Sequence, residues 1–152
     1  MKIGVISDTH SKIPSAAFDL LKDCVLILHA GDIGNFTIIN DLKEIIKANV
    51  VAVKGNCDNF SLSEYPNIQS FTINGFKIFM THDLDRVIPP DDANIIIAGH
   101  THRPLYIKND LGNIIVNPGA CGGSPRGEIK NNSIAIINLE KGNLFAEILY
   151  LP

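Results

Sequence analysis

The sequence predicts an α/β protein organised on a parallel sheet, and three observations carry that expectation. The first half reads strand, helix, strand, helix, strand, an order that right-handed crossovers turn into a parallel sheet. Its strands are continuous Ile- and Val-rich runs, the pattern of strands covered on both faces. The apolar runs break repeatedly into Gly or Ser followed by Asp, Asn or His. That puts polar side chains at the strand ends, where open α/β sheets build their sites.

The first strand covers Lys2 to Ser7 and ends in Asp8-Thr9-His10. An Asp and a His two positions apart can both turn toward one point above the sheet edge. An Asp placed here can also cap a helix, but the helix that follows, Pro14 to Asp23 with Phe18, Leu20 and Leu21 on one stripe, has Ser11 or Ser15 nearer as its cap. Val25 to Leu28 is the second buried strand, followed by His29-Ala30-Gly31-Asp32. The glycine permits a sharp turn that brings Asp32 just beyond the strand. His29 sits at the strand end itself and reads as a buried, hydrogen-bonded residue behind a site, ahead of a ligand. A second helix runs from Thr37 to Ala48, with Ile38, Leu42, Ile45 and Ile46 at helical spacing and Thr37 or Asn35 as cap. The third strand, Val50 to Val53, opens into Lys54-Gly55-Asn56-Cys57-Asp58.

The second half is punctuated by turns. Asn59 to Gln69 is polar and irregular, with a helical turn expected near Leu62. Phe71 to Ile73 and Lys77 to Met80 flank Asn74-Gly75, the pair that type I′ turns favour, so a hairpin ending in Thr81-His82 is expected. Pro89-Pro90-Asp91-Asp92 breaks the chain and starts a short helix ahead of Ile95-Ile96-Ile97-Ala98, a buried strand that gives way to Gly99-His100-Thr101-His102. Leu105 to Lys108, a turn at Asn109 to Gly112, and Ile114 to Val116 lead into Asn117-Pro118-Gly119-Ala120, and Cys121 to Gly127 is a loop. Ser133 to Leu139, a turn at Glu140 to Asn143, and Leu144 to Leu151 form a closing hairpin, expected in a second sheet.

Composition sets the bounds. A chain of 152 residues, 45% hydrophobic and 19% charged, makes one domain over 1–152 with a core of its own. A net charge of −3 provides no basic surface for a polyanion, so long nucleic acid is not expected as a partner. No apolar run approaches the ~18 residues of a membrane span. The start, Met1 to Ser7, goes straight into a strand and carries no cleavage-site pattern, so no signal peptide is expected. Cys24, Cys57 and Cys121 are odd in number and lack Cys-x-x-Cys spacing, which points to free thiols in a reducing, cytoplasmic setting.

Five strand ends thus carry potential ligands: Asp8 with His10, Asp32, Asn56, His82, and His100 with His102. Turn chemistry alone accounts for Gly31-Asp32 and Gly55-Asn56, because Asp and Asn favour turns. It does not account for the histidines. Two carboxylates, four imidazoles and a carboxamide exceed what one ion needs, and no set of thiolates suggests a structural zinc site. Mixed oxygen and nitrogen donors suit two divalent transition metal ions per chain, drawn from Mn²⁺, Fe, Co, Ni or Zn²⁺, sharing one carboxylate. Such pairs lie about 3.5–4 Å apart, lower the pKa of a bridging water and clamp phosphoryl oxygens during in-line displacement. The chemistry expected is phosphoester hydrolysis by a hydroxide that bridges the ions.

In their order and placement, Asp8-Thr9-His10, Gly31-Asp32, Gly55-Asn56, His82 and Gly99-His100-Thr101-His102 resemble the calcineurin-like metallophosphoesterase superfamily. The compact length, Gly55-Asn56-Cys57-Asp58 and Asn117-Pro118-Gly119 resemble its small YfcE/MJ0936-like phosphodiesterase branch. The resemblance spans the chain and implies a four-layer αββα sandwich with the site on loops at one end. It also implies that Asp8, His10, Asp32 and His102 hold a first metal, and that Asp32 as bridge, Asn56, His82 and His100 hold a second. Two departures stand out. Where the superfamily often has a second acid in a Gly-Asp-x-x-Asp pattern, this chain has Gly34-Asn35, and Cys57 replaces the histidine of Gly-Asn-His-Asp or Gly-Asn-His-Glu. That histidine is thought to aid the leaving group or hold phosphate, and a thiol supplies no positive charge. Weak action on monoesters and better turnover of diesters or activated aryl phosphates follow.

Asp58 is expected to orient the neighbouring loop or a ligand, or to cap a turn. Arg126, after Ser124-Pro125, and Arg103, beside the paired histidines, are of the type that contacts phosphate oxygens, although a solvated loop arginine is the commoner outcome. Asn117 lies near the rim, and Cys24 and Cys121 are packing residues. The partner expected is a small phosphodiester, with no long nucleic acid and no membrane, and a homodimer stays open. Two other classes compete. A retromer subunit of the same fold serves mainly as a docking surface, a reading that loss of a histidine ligand would favour. A nuclease of the superfamily would want basic grooves.

Overall fold

In the computed structural model, which describes residues 1–58, 62–123, 132–140 and 142–152, the chain forms two five-stranded sheets that share one apolar interior. β1 (Lys2–Ile6) pairs in parallel with β2 (Leu26–His29), and β2 with β3 (Asn49–Ala52). α1 (Ser15–Leu21) and α2 (Thr37–Asp41), the latter continued by a π-helical turn over Leu42–Ile46, cover the outer face of this sheet. There Ala17, Leu21, Ile38, Leu42 and Ile46 pack with Ile6 and Ile27. Covered on both faces, β1 and β2 have no polar side to show, which is why their sequences do not alternate.

Both helices are shorter than their apolar stripes suggest. Pro14 takes the N-cap position of α1 and its ring holds φ at −61°, so neither Ser11 nor Ser15 caps the helix. Asn35 accepts the Thr37 N–H at 2.9 Å just ahead of α2, whose own N-cap is Phe36. The π-helical turn stops at Lys47, in the left-handed region with φ 60°.

The second sheet contains β4 (Ile68–Ile73), β5 (Phe76–Thr81), β6 (Ile95–Ile97), β7 (Leu105–Lys108) and β8 (Ile114–Asn117), in the order β4-β5-β6-β8-β7. Asn74 and Gly75 both have positive φ, 49° and 83°, as a type I′ turn between β4 and β5 demands. β5, β6 and β8 are parallel, so their carboxyl ends point the same way. Pro89 to Asp92 starts no helix; a single turn closes there with Ala93 N–H on the Pro90 carbonyl at 3.0 Å. The short helix lies earlier, a 3₁₀ turn over Leu84–Arg86 capped by Asp83. Among the described residues the second sheet carries no α-helix of its own. The turn expected near Leu62 is present, with Tyr65 N–H on the Leu62 carbonyl at 3.1 Å, while residues 59–61 and Arg126, within 124–131, lie outside the described residues.

The closing hairpin corrects the sequence reading. β9 (Ser133–Glu140) and β10 (Asn143–Tyr150) join the first sheet, with β9 antiparallel to β1 through Ile3↔Ile137 and Val5↔Ala135. The first sheet therefore runs β10-β9-β1-β2-β3. The physical reason lies in Ser133-Ile134-Ala135-Ile136-Ile137, which is apolar at consecutive positions. Such a run needs cover on both faces, and the free edge of β1 provides it: Ile134 and Ile136 enter the helix-side cluster, Ala135 and Ile137 the interior between sheets. β10, at the rim, alternates between exposed and covered positions. No helix among the described residues is long and apolar enough to cross a membrane.

Candidate metal centre

Beyond the strand ends, the chain stays tied together. Asp8 N–H donates to the Gly31 carbonyl at 2.9 Å and His10 N–H to that of Asp32 at 3.0 Å, so the segments leaving β1 and β2 run side by side. Gly99 N–H donates to the His82 carbonyl at 3.0 Å, and His100 N–H crosses to Asp8 Oδ2 at 3.2 Å, joining the two sheets at this rim. Asp8, His10, Asp32, His100 and His102 all sit at positive φ, between 45° and 68°. For residues with a Cβ this costs on the order of 1–3 kcal/mol each, a strain that folds retain where side chains must be aimed. Two glycines allow the crowding. A Cβ on Gly55 would stand 2.1 Å from Asp32 Oδ1, and one on Gly99 would stand 1.9 Å from Ser7 Oγ and 2.9 Å from Asp8 Oδ2.

Two groups of donors result. In the first, Asp8, His10, Asp32 and His102 place one donor atom each within 4.8 Å of all the others. His102 Nε2 is 3.0 Å from Asp8 Oδ1, His10 Nε2 is 3.5 Å from His102 Nε2, and His10 Nε2 is 4.0 Å from Asp32 Oδ2. In the second, Asn56 Oδ1 lies 3.1 Å from His82 Nε2 and 2.9 Å from His100 Nδ1, with Asp32 Oδ1 3.5 Å from His82 Nε2. Asp32 thus turns one oxygen to each group.

The donor chemistry fits divalent ions. Atoms bound to one ion at about 2.0–2.2 Å stand roughly 3–4 Å apart, the spacing found in both groups. Asp8 Oδ1 is buried and takes no hydrogen bond, despite its closeness to His102. His82 Nδ1–H donates to the Ala30 carbonyl at 2.8 Å, so a neutral His82 turns a lone pair at Nε2 toward the oxygens of Asn56 and Asp32. Lone pairs facing across such distances call for a cation or a proton between them. Burial disfavours the His82 imidazolium, but the Asp32 carboxylate outweighs it and raises the pKa. His102 is raised in the same way, first by its contact with Asp8 and against burial. Burial also works against charged Asp32, yet His82 and the Cys57 N–H, 2.8 Å away, hold its carboxyl well below the usual range.

The remaining predicted residues fall into supporting places. His29 is fully buried: Gly31 N–H donates to its Nδ1 at 3.2 Å, so Nε2 carries the proton and donates to Thr9 Oγ1 at 2.9 Å. Thr9 in turn donates to the Ile33 carbonyl at 2.9 Å, and burial pushes His29 down to about 4. Asp58 accepts from Gly34 N–H at 2.9 Å and Gly55 N–H at 2.7 Å, binding the loops after β2 and β3 to each other. Asn117 donates to the Gly99 carbonyl at 2.7 Å and to Thr101 Oγ1 at 3.1 Å, holding the loop that carries the paired histidines without reaching the donors. Arg103 is exposed. Cys57 is a protonated thiol: partial burial and the charge of Asp32 push it up to about 11. Cys24 and Cys121 are buried in the apolar interior, with burial raising them to about 11 and about 12.

Sequence reasoning missed Thr9, Lys54, Asp83 and Arg86. The last three line a cleft of about 260 Å³ that opens beside Asn56 and His82. An acid directly after a strand-end histidine, His82-Asp83, repeats the pairing of types seen in Asp8-Thr9-His10 and was the available signal.

Residues 1–142 match the calcineurin-like phosphoesterase superfamily domain. A probable metallophosphoesterase of Methanothermobacter thermautotrophicus is 35% identical over 166 residues, covering 98% of this chain and 92% of that protein. Phosphodiesterase MJ0936 of Methanocaldococcus jannaschii is 30% identical over 162 residues, covering 93% and 95%. The solved structure of an archaeal phosphodiesterase superposes with a TM-score of 0.79 at 29% identity, covering 98% of this chain and 100% of the other.

Proposed function

Because the chain belongs to the calcineurin-like phosphoesterase superfamily, we propose that it is a phosphodiesterase of small substrates with a dinuclear metal centre. The observation that carries this reading is the position of Asp32, with Oδ1 toward the group of Asn56, His82 and His100 and Oδ2 toward that of Asp8, His10 and His102. Held by those groups, a pair of divalent ions would lower the pKa of a water and offset charge on the phosphoryl oxygens. The identity of the ions is set by availability as much as by the donors, with Mn, Ni, Co, Fe and Zn all compatible.

The chain's own residues do the rest. Asp58, Asn117 and Thr9 hold the donor loops in place before substrate arrives, so no reorganisation is needed at the moment of reaction. Cys57 stands beside Asn56 as a neutral thiol and brings no cation to the phosphoryl group. A diester carries one negative charge there and a monoester up to two, so the missing imidazolium weighs more against monoesters. The cleft lined by Lys54, Asp83 and Arg86 is the room for the organic part of the substrate.

Protein stripped of metal and reloaded in turn with Mn²⁺, Ni²⁺, Co²⁺, Mg²⁺ and Zn²⁺ tests the reading, with bis(p-nitrophenyl) phosphate and p-nitrophenyl phosphate as substrates. Metal-dependent hydrolysis that favours the diester is the expected result. No hydrolysis with any ion would leave the docking role as the better account.

A further inference from the structure

We propose that Asp83 is a positioning residue for the second donor group, bracing His100 from behind so that Nδ1 stays aimed at the ion. The inference rests on the dinuclear reading above. His100 Nδ1 faces Asn56 Oδ1 at 2.9 Å, so with an ion held between them it would be the donor nitrogen, leaving the ring proton on Nε2. That far side looks toward Asp83 Oδ2, 3.8 Å away.

The two histidines of this group are held very differently. His82 is 5% exposed and its Nδ1–H is fixed on a backbone carbonyl. The His100 side chain is 40% exposed, sits on a loop at φ 68°, and finds in Asp83 the carboxylate facing its Nε2. Without that partner the imidazole can swing toward solvent, and the ion loses one donor of the group.

Asp83 is itself immobilised. Oδ1 accepts the Asp85 N–H at 3.0 Å as the cap of the 3₁₀ turn, and Oδ2 accepts Arg86 Nε at 3.0 Å. A fixed carboxylate opposite an exposed imidazole makes the imidazole the part that can turn to close the 3.8 Å gap. A carboxylate behind a ligating histidine fixes the tautomer and raises the basicity of the donor nitrogen, with effects on metal affinity of about 10–100-fold. Arg86 shares Oδ2 and so draws on the same lone pairs, which limits the brace.

Calorimetric titration of the metal-free full chain with Mn²⁺ tests the proposal, the second binding step being identified as the one lost in Asn56→Ala. Asp83→Asn is the informative variant. Its Oδ1 can still cap Asp85, which keeps the turn, but its amide N–H then meets the His100 Nε2–H. The second step is expected to weaken by about 10–100-fold, the first to change less than about twofold, and the melting temperature of the metal-free chain to stay as in the wild type. Arg86→Met, which frees Oδ2, is expected to hold the second step at wild-type affinity or tighter. An unchanged second step in Asp83→Asn overturns the role of Asp83 while leaving the dinuclear centre standing. Equal weakening of both steps, or an Arg86→Met loss as large as that of Asp83→Asn, also overturns it. A wild-type chain that takes up a single ion overturns this inference and the dinuclear reading together.

Discussion

Asp32 and His82 face each other across the seam between the two sheets, Asp32 Oδ1 lying 3.5 Å from His82 Nε2. One residue follows β2 and the other follows β5, so the contact exists only once both sheets have formed and packed. It links the stability of the fold to the chemistry of the rim.

Asp32 is the sole carboxylate with an oxygen toward each donor group among the described residues, and Asp8 belongs to the first group alone. If the proposed dinuclear reading holds, Asp32→Ala is expected to abolish uptake of both ions and Asp8→Ala of only one, each lowering diester turnover by about 10–100-fold or more. Metal content per chain by elemental analysis, read beside kcat/KM, checks the difference. Loss of one ion in both variants would contradict the bridging position.

Gly55 tolerates no side chain. The added methyl of Gly55→Ala would lie 2.1 Å from Asp32 Oδ1 and 2.4 Å from Asp32 N, so the loop after β3 must move away from the loop after β2. A destabilisation of about 1–3 kcal/mol is expected, as for other overpacked sites, together with weaker binding at the Asn56 side. Denaturant unfolding and metal titration measure the two effects. Gly75→Ala, where no atom lies near but φ is +83°, separates backbone strain from crowding.

His29 ties stability to pH. Its pKa falls from 6.5 in an open environment to about 4 in the folded chain, because burial excludes the imidazolium. Between those values the unfolded chain binds the extra proton, so this residue's contribution is complete above pH about 6.5 and drains away as pH falls toward 4. The span corresponds to about 3 kcal/mol. Unfolding free energies of the metal-free wild type and His29→Gln, compared from pH 7 to pH 4, isolate its contribution from that of the rest of the chain. Parallel curves would show that His29 plays no such part.

Cys57 would account for the proposed preference for diesters if its thiol is what withholds positive charge. Cys57→His should raise the ratio of monoester to diester turnover by about tenfold or more, within the range that a single charge-stabilising donor commands. Rates on p-nitrophenyl phosphate and bis(p-nitrophenyl) phosphate give the ratio. An unchanged ratio moves the preference elsewhere, to the cleft beside Asn56.

What the sequence determined by itself is local. Apolar β-branched runs, the turn at Asn74-Gly75 and the polar residue after each strand are short-range features, so the parallel order of β1, β2 and β3 and the strand-end placement of Asp8, Asp32 and His82 were legible. Tertiary structure decided the rest, because it depends on what lies opposite. The closing hairpin joined β1, an edge that covers both faces of Ile134 to Ile137. Which nitrogen of His82 or His100 looks inward is set by a carbonyl at Ala30 and a carboxamide at Asn56, and Asp83 stands behind His100 through the approach of the turn after β5 to the loop after β6. No spacing along the chain records those approaches. They arise when two sheets bury a common interior and bring their carboxyl ends to one edge.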